Sequence, residues 1–171
     1  MNKLKQIYND NPEKFYLITL SVLGLILLFA GLWCYPLIDV DETRYAVMAR
    51  SLIGHDWNLL SLNGVPFIEK PPMLFWITAI SIKLFGFNTL AIRLPIAFLA
   101  TITVFFTYLT GKFIKNAKFG FYSALVLLSS AMFIMLAHVA IIDMVFTAFI
   151  TWTIYCGLLT DFIKDKRKYL I

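Results

Sequence analysis

The sequence predicts an all-α integral membrane protein with about four transmembrane helices, plus amphipathic surface helices in its first outer loop. Three observations predict it. The 171 residues are 60% hydrophobic and only 15% charged, with mean hydropathy +0.79, where soluble domains carry roughly 25% charged residues. Four uncharged runs are long enough to cross about 30 Å of hydrocarbon, which takes roughly 20 residues at 1.5 Å each. The basic residues cluster where the positive-inside rule places them on one side.

Composition excludes other classes. A soluble globular domain cannot carry this much apolar surface, and 16 Phe and 8 Tyr against 8 Gly and 6 Pro exclude collagen-like, low-complexity and disordered chains. The net charge of +5 would suit nucleic acid in a soluble protein, but in a membrane protein it marks loops facing anionic lipid. No nucleic-acid partner is expected. Cys34 and Cys156 form neither a disulfide framework nor a metal pattern.

The runs divide the chain into a cytoplasmic N-terminus (1–14), a first span (15–35), an outer loop (36–93) and a second span (94–111). A cytoplasmic loop (112–118), a third span (119–142), a fourth (144–160) and a basic cytoplasmic segment (161–171) follow. A fifth apolar stretch, Pro71 to Ile82, has only twelve residues before Lys83 and reads as an interfacial or re-entrant helix. Charge supports that choice. With four spans, the clusters Lys3, Lys5 and Lys14, then Lys112, Lys115 and Lys118, then Lys164, Lys166, Arg167 and Lys168 share one side. A fifth crossing would translocate two of them. The outer loop then holds five basic and five acidic residues, while the inner segments hold ten basic and four acidic. The first span is too long for a signal peptide, and no small-residue cleavage site follows it. The chain stops just after the last basic loop, where another span could begin, so a longer parent is expected.

The outer loop opens at Pro36 with Asp39, Asp41 and Glu42 ahead of Tyr45, Met48, Leu52 and Ile53 at helical spacing, and Gly54 closes the pattern. Asp39 or Asp41 is the expected cap, and Arg44 and Tyr45 lie one turn beyond Asp41. Capping and surface solvation would explain this cluster taken alone. A second stretch brakes the chain at Gly64 and Pro66 before Glu69 and Lys70. Pro71 then forces Lys70 out of helical conformation, and Pro72 suits the first turn of a new helix. Adjacent Glu and Lys rarely pair with each other, so each is free to address a metal, a phosphate or a remote partner. An ordinary surface turn is the plain alternative. Third, Asp143 sits between two apolar spans with almost no loop to shelter it, which makes a functional role the default and a helix cap the alternative. His138 lies five residues away, off the same helical face, and reads as a satisfied interfacial residue. Carboxylates, a Lys, an Arg and the aromatic residues Trp57, Phe67, Phe75 and Trp76 thus suit a substrate that is half lipid and half polar phosphate.

These residues resemble a known family. Asp41-Glu-Thr-Arg-Tyr-Ala, Gly54-His-Asp-Trp, Asn63-Gly-Val-Pro-Phe-Ile-Glu-Lys-Pro-Pro, Leu84-Phe-Gly, Ala91-Ile-Arg-Leu-Pro and Ile142-Asp-Met are similar, in order and spacing, to the N-terminal part of the GT-C polyprenyl-phosphate-dependent membrane glycosyltransferases. The branch holds the aminoarabinose-lipid A transferase and relatives of the protein O-mannosyltransferases. The resemblance implies an inverting transfer of sugar from a polyprenyl-phosphate carrier to an acceptor hydroxyl of lipid A, a protein or a glycan. It also implies a multi-pass protein of the bacterial inner membrane, for which the distribution of basic residues predicts a cytoplasmic N-terminus. By the resemblance, Asp41 is the catalytic carboxylate, and Lys70 with Arg44 holds the carrier phosphate. Asp143, Glu42 and Tyr45 stand on the acceptor side or one layer behind it, and Glu69 is the candidate ligand of a divalent metal whose identity is open. Members are several times longer, so 171 residues alone are expected to be inactive. The competing readings are a non-catalytic protein that binds the lipid-phosphate carrier and a small transporter using Asp143 and His138.

Overall fold

A computed structural model describes residues 11–38, 40–54, 57 and 59–168, with side chains described to residue 160. Asp39, Lys3, Lys5, the His55-Asp56 pair and the side chains of the C-terminal basic cluster lie outside the described residues. Helix α1 spans Pro12–Phe29, α2 Asp41–Ser51, α3 Met73–Phe85, α4 Thr89–Ile114, α5 Ala117–Ser129, α6 Ala131–Ala137 and α7 Ile142–Lys168. Between α2 and α3 lies a two-stranded hairpin, β1 (Ser61–Leu62) and β2 (Val65–Pro66).

Three helix starts are written in asparagine. Asn11, Asn88 and Asn116 each precede a helix and accept a bond from a backbone N–H of its first turn, Lys14 at 3.1 Å, Ala91 at 2.9 Å and Phe119 at 2.9 Å. Pro12 adds a residue whose φ already suits the first helical position. The cap of α2 differs from the expectation, because Val40 occupies it and makes no side-chain cap bond, while Asp41 is the first helical residue.

Helices α1, α4 and α7 are each long and apolar enough to cross a membrane, and the α5–α6 pair makes a fourth span bent by 72°. The chain is an integral membrane protein. The exposed side chains fit that solvent, since large apolar residues such as Leu25 at 65% and Val126 at 70% are exposed on these helices. Helix α4 is the hub, contacting α1, α3, α5, α6 and α7, and begins five residues before the expected span. The third span is not the continuous 119–142 helix anticipated. It breaks at Ser129 and Ser130, where Ser130 is extended at φ −72°, ψ 116° and Ser129 Oγ donates to Val126 O at 2.9 Å. Paired serines kink helices by offering the backbone such alternatives. Residues 138–141 then form a turn rather than helix.

The outer elements stack on this bundle. The hairpin turns at Asn63 and Gly64, with φ of 53° and 82°, the left-handed pair that a two-residue type I′ turn requires. It is the one departure from an all-α chain among the described residues. Ser51 Oγ, at the end of α2, donates to Ser61 O at 3.1 Å and ties the hairpin down. Helix α3 has thirteen residues, about 20 Å, too short to cross. It lays Leu74, Phe75, Ala79 and Ile82 against its neighbours and leaves Leu84 and Phe85 exposed.

In lipid, apolar surface alone does not draw helices together, so close backbone approach matters. Helices α4 and α5 meet at Gly111 and Gly120, where a Cβ on Gly111 would lie 2.7 Å from Gly120 Cα and one on Gly120 would lie 2.8 Å from Lys112 N. Tyr16 of α1 stacks on Phe121 of α5 at 4.6 Å between centroids. Gly120→Val should therefore overpack this crossing and lower stability by about 1–3 kcal/mol, read as thermal unfolding of detergent-solubilised protein. Gly157→Val, with nothing within 4 Å of its added Cβ, is the control. Equal melting of the two would refute the close-packing account.

Candidate functional site at the outer rim

The core of the outer region is an ion pair. Arg93, in the second turn of α4, and Glu42, in the first turn of α2, both have side chains 0% exposed. Arg93 Nε donates to Glu42 Oε1 at 2.7 Å and Nη2 to Oε2 at 2.8 Å, a two-point match of a planar fork to a carboxylate. The remaining donors reach backbone carbonyls beyond the end of α1. Nη1 bonds Leu32 O at 3.0 Å and Tyr35 O at 3.1 Å, and Nη2 bonds Pro36 O at 2.9 Å. The Tyr35 ring covers the guanidinium, its centroid 3.9 Å from Cζ.

Glu42 also accepts from two amides outside helices, Ile38 N at 2.7 Å and Ala140 N at 2.9 Å. Irregular backbone at membrane depth is tolerated only when protein satisfies it. Here a guanidinium satisfies carbonyls and a carboxylate satisfies amides. Burial acts to raise the Glu42 pKa, but the bonds from Arg93, Ala140 and Ile38 and the Arg93 charge outweigh it and hold the carboxyl below its ordinary value.

Around this pair the predicted residues fall into two groups. Asp41 points outward, 59% exposed, and takes a 2.6 Å bond from Arg44 Nη2. Such a surface pair is worth only about 0–1 kcal/mol, so it is easily exchanged for another partner. Arg44 lies 6.0 Å from the centre of Phe67, two residues before Glu69, and its Nε is buried with no hydrogen-bond partner among the described residues. Glu69 is exposed and Lys70 half-buried. Pro71, beside Lys70, and Ile142, beside Asp143, line one apolar cleft of about 180 Å³ with Met73 and Phe146. Asp143 itself is exposed in the first turn of α7. The segments carrying Asp41 and Arg44, Glu69 and Lys70, and Asp143 therefore adjoin pairwise: through Arg44 and Phe67, through the cleft, and through the Glu42 bond to Ala140.

Glu42 and Tyr45 belong to the second group. Glu42 turns inward, where Arg93 and the amides of Ile38 and Ala140 fill both of its oxygens. Tyr45 is 5% exposed and packs edge-on against Phe75 at 5.5 Å. His138 does not meet Asp143: its ring nitrogens lie 2.8 Å from Ile134 O and 3.0 Å from Ala30 O. Among the described residues no three His, Cys, Asp or Glu converge on a point that could hold a metal. Glu69 offers a single carboxylate, which does not make a metal shell. Sequence reasoning missed Arg93, counting it as one of five loop cations. The available signal was an arginine set directly against an apolar run, where burial demands a named partner.

The depressed Glu42 pKa fixes the sign of a pH effect. The pair's stabilisation is complete above the unfolded carboxyl value of roughly 4.3 and is lost as pH falls through the lower folded value. Stability should thus be level from neutral pH toward 5 and drop in more acidic solution, with a shallower acid limb in Glu42→Gln. Arg93→Ala, which strands a buried carboxylate, should cost about 3–5 kcal/mol at neutral pH. Acid unfolding curves of the three proteins check both, and identical acid limbs would contradict the assignment.

Comparison with known proteins agrees with this architecture. The family model described as dolichyl-phosphate-mannose-protein mannosyltransferase matches residues 69–171. An uncharacterized protein of Aquifex aeolicus is 33% identical over 160 residues, covering 92% of this chain and 31% of its own length. The undecaprenyl phosphate-alpha-4-amino-4-deoxy-L-arabinose arabinosyl transferase of Yersinia enterocolitica is 29% identical over 143 residues, covering 80% and 26%. The crystal structure of ArnT from Cupriavidus metallidurans bound to undecaprenyl phosphate superimposes with TM-score 0.78 at 24% identity, over 84% of this chain and 27% of that one. This last likeness shows the fold. The chain spans about a quarter to a third of the length of these proteins. With a family model covering more than half of its residues, the chain belongs to the dolichyl-phosphate-mannose-protein mannosyltransferase family.

Proposed function

We propose that this chain forms the outer-rim part of a transferase that moves a sugar from a polyprenyl-phosphate carrier to an acceptor hydroxyl, with inversion. The adjoining of the Asp41, Lys70 and Asp143 segments beside an apolar cleft carries the reading. The acceptor oxygen attacks the anomeric carbon, the bond from that carbon to the carrier phosphate breaks, and the electron pair leaves with the phosphate. Asp41 takes the hydroxyl proton, work that needs an exposed carboxylate within hydrogen-bond reach. Lys70 and Arg44 balance the charge that builds on the departing phosphate. Arg44 Nε, a buried donor with no partner among the described residues, supports anion binding there, and a phosphate that draws Arg44 away would release Asp41. Asp143 faces the acceptor.

The distribution of basic residues supports a cytoplasmic N-terminus and, with it, this rim on the outer face of a bacterial inner membrane. Lipid A, a protein hydroxyl and a glycan remain the acceptor classes, and Glu69 is at most one ligand of a divalent ion. The transporter reading loses its relay, since the His138 ring lies against the backbone carbonyls of Ile134 and Ala30, away from Asp143.

The test uses the intact protein in proteoliposomes with undecaprenyl-phosphate-linked aminoarabinose and lipid A. Asp41→Asn should lower turnover by about 10²–10⁴-fold, the usual contribution of a general base, while retaining binding of undecaprenyl phosphate. Lys70→Ala should weaken that binding. Equal loss of turnover and binding in Asp41→Asn would favour a carrier-binding protein without chemistry.

A further inference from the structure

We propose that Glu42, Arg93 and Tyr35 are positioning residues for the transfer step, coupling the start of α2 to the turn between α6 and α7. The proposal rests on the transferase reading above. Its basis is saturation. The five N–H donors of a guanidinium are all used by Arg93, two on Glu42 and three on the carbonyls of Leu32, Tyr35 and Pro36. Glu42 receives four bonds, two on each oxygen. Neither side chain retains capacity for a substrate, so any effect on chemistry must pass through what they hold.

What they hold is the outer site. Glu42 adjoins Asp41 in sequence and fixes the first turn of α2, from which Arg44 also projects. Its bond to Ala140 N pins the turn that leads three residues later to Asp143. Two more links join the exit of α1 to that turn: Tyr35 Oη donates to His138 O at 3.0 Å, and His138 Nε2 lies 3.0 Å from Ala30 O. Tyr35 does double duty, since its ring also covers the Arg93 guanidinium. A buried ion pair is often no more stabilising than apolar side chains of the same volume. Fixing orientation is the work that apolar residues could not do here. Misplacement of a reacting group by about 1 Å can cost roughly 10²-fold in rate.

The pair is also directional. The guanidinium faces carbonyls and the carboxylate faces amides, so exchanging them would set like against like. The test uses intact protein and three variants: Arg93→Lys, which keeps the charge and loses the fork; Tyr35→Phe, which removes one link and keeps the ring; and the exchange Glu42→Arg with Arg93→Glu. Folded protein is measured by thermal melting, the latch by hydrogen exchange at the Ala140 amide, and chemistry by kcat and donor KM per folded molecule. For Tyr35→Phe and Arg93→Lys we expect faster exchange at Ala140. Both should also lower kcat, by up to about 10²-fold in Arg93→Lys, with donor KM changed less than threefold. The exchanged pair should restore neither protection nor rate. Wild-type kcat per folded molecule in Arg93→Lys, or protection at Ala140 unchanged in both single variants, would overturn the proposal. The transferase reading fails separately, by the absence of turnover or of any Asp41→Asn effect in otherwise wild-type protein.

Discussion

The outer half of this molecule depends on one buried ion pair between Glu42 and Arg93. Its importance follows from where it lies. The first span ends at Phe29, well before the helix that carries Asp41, and the third breaks at Ser130. Each break leaves amides and carbonyls without helical partners close to lipid, where an unsatisfied group costs several kcal/mol. Arg93 and Glu42 answer both kinds of group at once, and in doing so they bring α1, α2, α4 and the α6–α7 turn to one point.

A division of labour within a single acidic dipeptide follows. Asp41 and Glu42 differ by one methylene and one position, yet one is 59% exposed and the other fully buried. The 100° turn between successive helical residues sends them to different faces. The inner carboxylate is spent on architecture, which leaves the outer one at a defined place on the rim with only a weak surface partner. The same logic extends to Arg44 and Arg93, one aimed outward and one saturated within.

Much of the fold could be read from sequence because the bilayer imposes strong rules. Spans were visible as uncharged runs, and the non-crossing of α3 in the distribution of lysines, whereas the helix starts at Asn11, Asn88 and Asn116 emerged only from their side-chain bonds to first-turn amides. Gly64 and Pro66 marked a break in the chain, but not the Asn63-Gly64 turn or the paired hairpin it closes. The break at Ser129 and Ser130 was hidden, because serine is compatible with membrane helices and the kink is decided by where its hydroxyl bonds. Arg93 and Glu42 were hidden for another reason. They are 51 residues apart, and a pairing over that distance leaves no periodic signature. Asp41, Arg44, Lys70 and Asp143 could be singled out by type and by family resemblance, but their adjoining arrangement became visible only through contacts such as Arg44 with Phe67.

The central claim is that three separate outer segments are held in one fixed arrangement. Pulsed electron resonance between spin labels at positions 41 and 143 tests it most directly, with the exposed Cys34 and Cys156 replaced by serine. A single narrow, short distance that broadens in the Arg93→Lys background is the predicted result. A broad distribution in the otherwise unaltered protein, or one indifferent to Arg93, would contradict the account.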